Sequence, residues 1–442
     1  MLIQFSVRNF KTFKDEAKLT MFASNYDKAS REIENVFEVP QFNLRLLKSA
    51  VIYGANASGK TKLLNAAGVM KDFIINSSKE SQEGEPINTD PFRLSSIMED
   101  KPTMFELIFI HKAEMFRYGF EATKESVVAE WLYYRPKTKE IEIFYREGQE
   151  FNLHATKFKK GTFLVKEKMV RSNALMLSVA AQFNDTLAKH IFEWLRQFRQ
   201  LSGLREDDYM GFSLHKASEK GGKSKILDWM KNADIGIDDI RVKTMNVDDL
   251  APDLPDDLRT ELLEKLKNKD TKLYSDLITV HAKYDGTNNQ VGVAEFQLFE
   301  EESSGTRKFF ALSGPIIQAL DNGEVLFVDE LDSKIHPNLV CKIVAIFNSK
   351  ESNPKNAQLI FNTHDTNLLS SGLFRRDQIW FVEKDRYGAA TLYPLSSFKT
   401  NEGARKSDNY EDNYILGRYG GVPALNDFEN NFQPETMVTN EK

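Results

Sequence analysis

Cysteine is almost absent: Cys341 stands alone among 442 residues. One thiol cannot build an internal disulfide framework, and the expectation is a cytoplasmic protein in a reducing compartment. No apolar run approaches the roughly 20 residues that span a bilayer, so no membrane partner is expected. The first residues, MLIQFSVRNFKTF, carry charge inside their apolar stretch and lack the long apolar segment of an export signal. A strong charge of one sign is missing too. The net charge of −6 argues against a polyanion binder acting by bulk charge, and local basic patches stay open. There is no internal repeat and no His/Cys cluster with metal-site spacing.

The length predicts two to three domains. A hydrophobic fraction of 41% allows a packed interior, and 28% charged residues suit a solvated surface. The 32 phenylalanines read as core filling. Residues 1–22 hold two short strands about a turn at Asn9–Lys14. LLKSAVIY (46–53) is a buried strand, and the helix after it carries Leu63, Leu64, Ala67 and Met70 at helical spacing. From 104 to about 165 the alternation of TMFELIFI, MFRYGFEA, SVVAEWLYY and EIEIFYR predicts an antiparallel sheet. Near 170 the pattern turns helical, with charged helices such as RTELLEKLKNK and a basic, flexible loop KASEKGGKSK at 216–225. From VLFVD onward strand and helix alternate, which predicts a mostly parallel sheet. The expected organisation is an N-terminal lobe (1–168), a helical insertion (169–275), a C-terminal lobe (276–400) and a tail (401–442).

Residues 54–61, Gly-Ala-Asn-Ala-Ser-Gly-Lys-Thr, fit G-x-x-x-x-G-K-[ST] between a strand and a helix. Gly54 and Gly59 let the backbone curl, so that the N–H groups of Asn56, Ala57, Ser58 and their neighbours converge on phosphates. Lys60 would place a point charge at the β and γ phosphates of ATP, and the Thr61 hydroxyl would ligate Mg²⁺. The bland alternative is a tight turn with no ligand.

Val325-Leu-Phe-Val-Asp329-Glu330 is an apolar strand ending in two acids. Asp329 would reach the Mg²⁺ shell, and Glu330 would polarise the attacking water. A strand ending in a solvated acidic turn would read alike, but the phosphate loop favours the catalytic reading. Upstream, Glu302-Ser303-Ser304-Gly305-Thr306-Arg307 opens a helix whose N-terminus suits an anion. Downstream, His364 follows the strand QLIFNT and is a candidate γ-phosphate contact. An ordinary helix cap and a loop histidine are the plain readings of these two.

In this order the motifs resemble the ABC-type ATPase head of the SMC, RecN, RecF and OLD group. The resemblance implies an α/β fold: an ABC-ATPase-like P-loop head, with a mixed sheet, an antiparallel β subdomain and a helical insertion. It implies that Ser304 and Gly305 act in trans, with Ser303 beside them in the nucleotide-binding set, and that two heads clamp two ATP molecules. Asp332 then falls at the D-loop and His364 at the switch histidine. Lys11, in Asn9-Phe-Lys-Thr-Phe13, matches a basic residue used near the phosphates, though a solvated turn lysine reads equally well. His336-Pro337 matches a structural Leu-His-Pro, with Ile335 in place of Leu. Two departures stand out. The usual Leu-Ser-Gly-Gly-Gln is reduced to Glu-Ser-Ser-Gly-Thr, and the Q-loop glutamine has no evident counterpart, with Asp90-Pro-Phe-Arg93 the candidate for its region. Ser172–Gln182 and Ile415–Pro423 resemble segments of the single-chain RloA or AbiLi type of ATPase from bacterial anti-phage systems. A core helix and a packing tail are their plain readings.

That resemblance implies an ATP-hydrolysing homo-oligomer that senses infection and controls a separate effector in abortive infection, such as a TOPRIM-like nuclease of the RloB type. Only a short stretch follows Asp365, with no acidic pair on a strand, so no nuclease domain is expected in it. The alternative is a RecF- or SMC-like repair ATPase that binds DNA directly, through Lys157–Lys160 and Lys216–Lys225 unless these are solvated loops. A transporter subunit is disfavoured by the reduced signature, the long insertion and the N-terminal Asn-Phe-Lys-Thr-Phe.

Overall fold

The computed structural model describes residues 1–25, 30–79, 82–245, 273–398 and 408–423. The charged helix expected at 259–269 lies outside these residues. The alternating segments form a seven-stranded antiparallel sheet: β1 (Leu2–Arg8), β2 (Ala17–Thr20), β6 (Thr103–His111), β7 (Glu114–Ala122), β8 (Val127–Arg135), β9 (Ile141–Glu147) and β10 (Glu150–Leu153). Its order is β10-β9-β8-β7-β6-β1-β2. A short helix α1 (Glu32–Asn35) leads into a ribbon of β3 (Val36–Val39) and β4 (Leu44–Leu47).

The second sheet holds β5 (Ser49–Tyr53), β11 (Phe198–Ser202), β15 (Val325–Asp329), β16 (Gln358–Asn362), β17 (Ile379–Lys384) and β18 (Ala390–Pro394), in the order β11-β15-β16-β5-β17-β18. Every pairing in it is parallel except the β17–β18 hairpin. All positions of β5, β15 and β16 are buried, as expected for parallel strands covered on both faces. Alternate residues supply two separate cores. Ala50, Ile52, Val325, Phe327 and Ile360 face α2 (Lys60–Asn76) and the antiparallel sheet. Val51, Tyr53, Leu326, Val328, Leu359 and Phe361 face α8 (Ser304–Asn322), α9 (Pro337–Asn348) and α10 (Asn367–Ser370).

Three further helices, α3 (Lys159–Lys166), α4 (Met176–Gln182) and α5 (Thr186–Arg196), pack on the first core. The Ser172–Gln182 segment is anchored by a buried ion pair. Glu130 accepts the amides of Met176 and Leu177 at 2.7 and 2.9 Å, at the start of α4. Arg146 lies 3.5 Å from Glu130 and donates to the Ala174 carbonyl at 2.6 Å. Burial pushes the Glu130 carboxyl up, and Arg146 opposes the shift.

The stretch 169–275, expected to be helical, is so only in part. Its strand β11 is an edge of the parallel sheet, beside β15. Helices α6 (Asp207–Ser218) and α7 (Gly222–Lys231) pack on α8, and a third sheet follows with β12 (Ile237–Met245), β13 (Leu273–Tyr284) and β14 (Gln290–Gln297). The expected loop at 216–225 is instead the end of α6, a tight turn at Gly221 and the start of α7. Pro315 interrupts α8 and leaves the Ala311 carbonyl without its helical donor; the Ser213 hydroxyl of α6 donates to it at 2.5 Å. The last element among the described residues is α11 (Tyr410–Ile415). Among the described residues no helix is long and apolar enough to cross a membrane.

Candidate nucleotide site

Strand β5 ends at Tyr53, and the chain curls through Gly54–Gly59 into α2. The curl needs left-handed backbone at Ala57 (φ 59°) and Gly59 (φ 122°). A Cβ on Gly59 would stand 2.7 Å from the Thr12 hydroxyl, so glycine is required there for shape and space. Lys60 is 5% exposed and folds over the loop, donating to the carbonyls of Gly54 and Ala55 at 2.7 and 3.1 Å. Burial lowers its pKa to about 8, while the charges of Glu330, Asp329 and Asp332 pull it upward. The hydroxyls of Thr12 and Ser58 are buried beside this loop with no hydrogen-bond partner among the described residues. Curled amides, a buried ammonium and unpartnered hydroxyls fit a nucleotide phosphate chain.

The acid turn is assembled differently. Asp329 closes β15, and the chain bends at Glu330, a non-glycine residue at φ 52°. Asn362, at the end of β16, holds both acids. Its amide donates to Asp329 Oδ1 at 2.6 Å, and its carbonyl oxygen accepts the Glu330 backbone N–H. From the other side the fully buried Lys308 of α8 donates to the carbonyls of Glu330 (3.2 Å) and Ser333. Asp332 accepts the His364 backbone N–H at 3.2 Å, and its other oxygen is buried without a partner among the described residues. The His364 side chain is exposed.

A cleft of about 540 Å³ brings Lys11, Thr61 and Asp329 together with Gln200, Ser202 and Arg205. A hydroxyl and a carboxylate on one cleft suit Mg²⁺, which takes few protein ligands beside phosphate and water oxygens. No group of three His, Cys, Asp or Glu that could hold a metal occurs among the described residues. Lys11 lies 3.7 Å from Asp90, and its backbone N–H donates to the Asp90 carbonyl at 2.7 Å. Asp90 and Arg93, the candidates for the Q-loop region, thus pair with Lys11 and each other and do not line the cleft. The strand end beside Asp329 is that of β11, where Ser202 pairs with it and Gly203 donates to its carbonyl at 2.6 Å. A Cβ on Gly203 would stand 2.0 Å from the Glu330 carbonyl.

Ser303 caps α8, its hydroxyl accepting the Thr306 amide at 3.1 Å. Ser303 and Ser304 are exposed, Gly305 is partly so, and none of the three lines the cleft. Glu302, just before the cap, is held by His281 of β13 at 2.8 Å.

Sequence reading missed Asn362, Lys308 and the β11 end. Asn362 sits two residues before His364 and Lys308 three after Gly305, so proximity to the motifs was the available signal. Nothing local marks Ser202 and Gly203.

Comparison with known proteins adds the lineage. No curated protein matches. Among solved structures the chain is similar to the SMC head domain from Thermotoga maritima, with 11% identity, 89% of this chain and 98% of that chain covered, and a TM-score of 0.40. It is also similar to the recombination mediator protein RecF-ATPrS of the RecFOR pathway, with 14% identity, 89% and 98% covered, and a TM-score of 0.33. The family described as "AAA domain, putative AbiEii toxin, Type IV TA system" matches residues 49–370, most of the chain, and the protein belongs to this family of P-loop ATPases.

Proposed function

We propose that the chain is an ABC-type ATPase whose heads pair around ATP, hydrolyse it and control a separate effector protein in bacterial anti-phage defence. One observation carries the ATPase part: Thr61 of the phosphate loop and Asp329 of the acid turn line one cleft, although 268 residues separate them in the chain. In this reading the amides of Gly54–Gly59 and the Lys60 ammonium hold the phosphates of ATP. Thr61 and Asp329 would hold Mg²⁺, which would supply positive charge against that of the phosphates. Glu330 takes a proton from the attacking water, its backbone held by Asn362 and Lys308. His364 meets charge on the γ phosphate, with Asp332 fixing its backbone. The exposed cap at Ser303–Gly305 lies off its own cleft, which supports a role on the nucleotide of a second head.

Hydrolysis would separate the heads, and the α6–α7 layer packed on α8 would report it to a cytoplasmic partner. Membership of a family described as a putative AbiEii toxin of a type IV TA system supports the defence setting, and a TOPRIM-like nuclease is the effector class we favour. Direct duplex binding, as in a RecF-like repair ATPase, is the competing reading. Its basic runs are drawn onto neighbours: Lys223 pairs with Asp239 at 2.8 Å, Lys225 with Asp321 at 2.6 Å, and Lys157 lies over the Tyr134 ring.

The test is phosphate release and light scattering on Glu330→Gln. Turnover is expected to fall about 10²–10⁴-fold, with an ATP-dependent dimer accumulating. Unchanged turnover removes Glu330 as the base, and a monomer at every ATP concentration removes the paired heads. Salt-sensitive duplex binding by the chain alone would favour the repair reading, and DNA cleavage by the chain alone would remove the separate effector.

A further inference from the structure

The segment Ile415–Pro423 plays no part in the mechanism above, yet it is folded onto the phosphate loop. Tyr414, at the end of α11, donates to the Gly421 carbonyl at 3.1 Å, and the Gly54 backbone amide acts on the same hydroxyl, opposing the upward pull of burial on its pKa. Its ring lies 5.5 Å from that of Tyr53 and stacks on Phe381 at 5.4 Å. Gly421 has φ 67°, and a Cβ there would come within 3.6 Å of the Gly54 Cα. Its neighbour Gly420 also has positive φ, and a Cβ on it would meet the Tyr393 hydroxyl at 2.5 Å and Glu383 at 2.6 Å. Two adjacent glycines thus let the chain pass between the β17–β18 hairpin and the first residue of the loop. At the other end of α11, Glu411 accepts the Thr366 hydroxyl at 2.9 Å, two residues beyond His364.

A packing tail would need neither the two adjacent glycines nor the close approach to Gly54. The loop's first residue has the Lys60 ammonium on its carbonyl and Gly421 of the tail against its Cα. We propose that Tyr410–Pro423 is a clasp that sets the phosphate loop in its binding shape, with Tyr414 and Gly421 as positioning residues for nucleotide binding. The clasp spans from Gly54 to the loop of His364, so it ties together two parts of the phosphate site that are 310 residues apart in the chain. It rests on the reading of residues 54–61 as a nucleotide site.

The experiment is calorimetric titration of Mg-ADP into the full chain, with ATP turnover measured in parallel. Tyr414→Phe keeps both ring contacts and removes only the hydroxyl. The Kd is expected to rise about three- to tenfold, the range that one buried hydrogen bond commands. KM for ATP should rise with it, while kcat stays within about twofold and the nucleotide-free Tm hardly moves. Gly421→Ala, strained at its φ of 67°, should raise Kd at least as far. Phe144→Leu, in the antiparallel sheet, should lower Tm without changing Kd. Unchanged affinity in Tyr414→Phe overturns the clasp, and so does an equal loss of affinity in Phe144→Leu. If Lys60→Ala binds Mg-ADP as tightly as the parent, the nucleotide reading itself fails.

Discussion

The phosphate loop and the acid turn are both sharp bends at the ends of buried parallel strands, and they are held in opposite ways. Gly54–Thr61 carries its own bend: Gly59 supplies the left-handed backbone, and Lys60 closes over carbonyls five and six residues back. The turn Asp329–Lys334 contains no glycine, yet Glu330 and Lys334 both sit at positive φ. Its strain is offset from outside, by Asn362 on one side and Lys308 on the other. A local motif tolerates change elsewhere and little within. A turn held by distant clamps should be broken from a distance.

Breaking the phosphate loop from within should give the largest effect. Gly59→Ala combines a φ that costs about 1–3 kcal/mol for a side chain with a Cβ at 2.7 Å from Thr12. Loss of detectable Mg-ADP binding by calorimetry is expected, in a chain that still folds by circular dichroism. Binding at parental strength would mean that the loop is not self-contained.

A smaller effect should follow from Asn362→Ala, 32 residues from Glu330. It orphans the Glu330 amide and frees Asp329, which should cost about 1–3 kcal/mol of stability. Turnover is expected to fall roughly tenfold with little change in KM, since the proposed base is displaced while the phosphate loop is untouched. A rise in KM alone would place Asn362 with the phosphate loop and spoil the contrast.

The smallest and most diagnostic signal is the pH dependence of the Lys308 clamp. Burial lowers its pKa from 10.5 to about 8. Between these values the folded chain has released a proton that the unfolded chain keeps, so the contribution of Lys308 to stability rises with pH across that window. The neutral amine still donates to the carbonyls of the turn. Denaturant titrations of the parent and Lys308→Met should therefore diverge in favour of the parent from about pH 8 to pH 10. Lys48 and Lys60, also lowered to about 8, are common to both chains and cancel. Parallel curves would show that Lys308 does not carry the turn.

Much of the architecture was legible because it follows from short-range rules. Alternation gave the antiparallel strands, and apolar runs bounded by turns gave β5, β15 and β16. The expected helical insertion failed at FRQLS, which continues an amphipathic helical pattern in sequence but is β11 in the fold. Pairing with Val325–Asp329 decided its conformation, and no local period reports a partner more than a hundred residues away.

The sequence by itself determined the phosphate loop, the two acids at a strand end, the capped helix at Ser303 and the histidine after β16. Each is written in contiguous residues whose backbone demands are local. Only the tertiary structure decided that Ser202 and Gly203 abut Asp329, that Asn362 and Lys308 hold the acid turn, and that Tyr414 and Gly421 meet Gly54. The physical reason is the order of the sheet: β11-β15-β16-β5 sets side by side strand ends that lie far apart along the chain. Contacts between such ends are fixed by packing and hydrogen bonding across the sheet, which no neighbouring residue encodes.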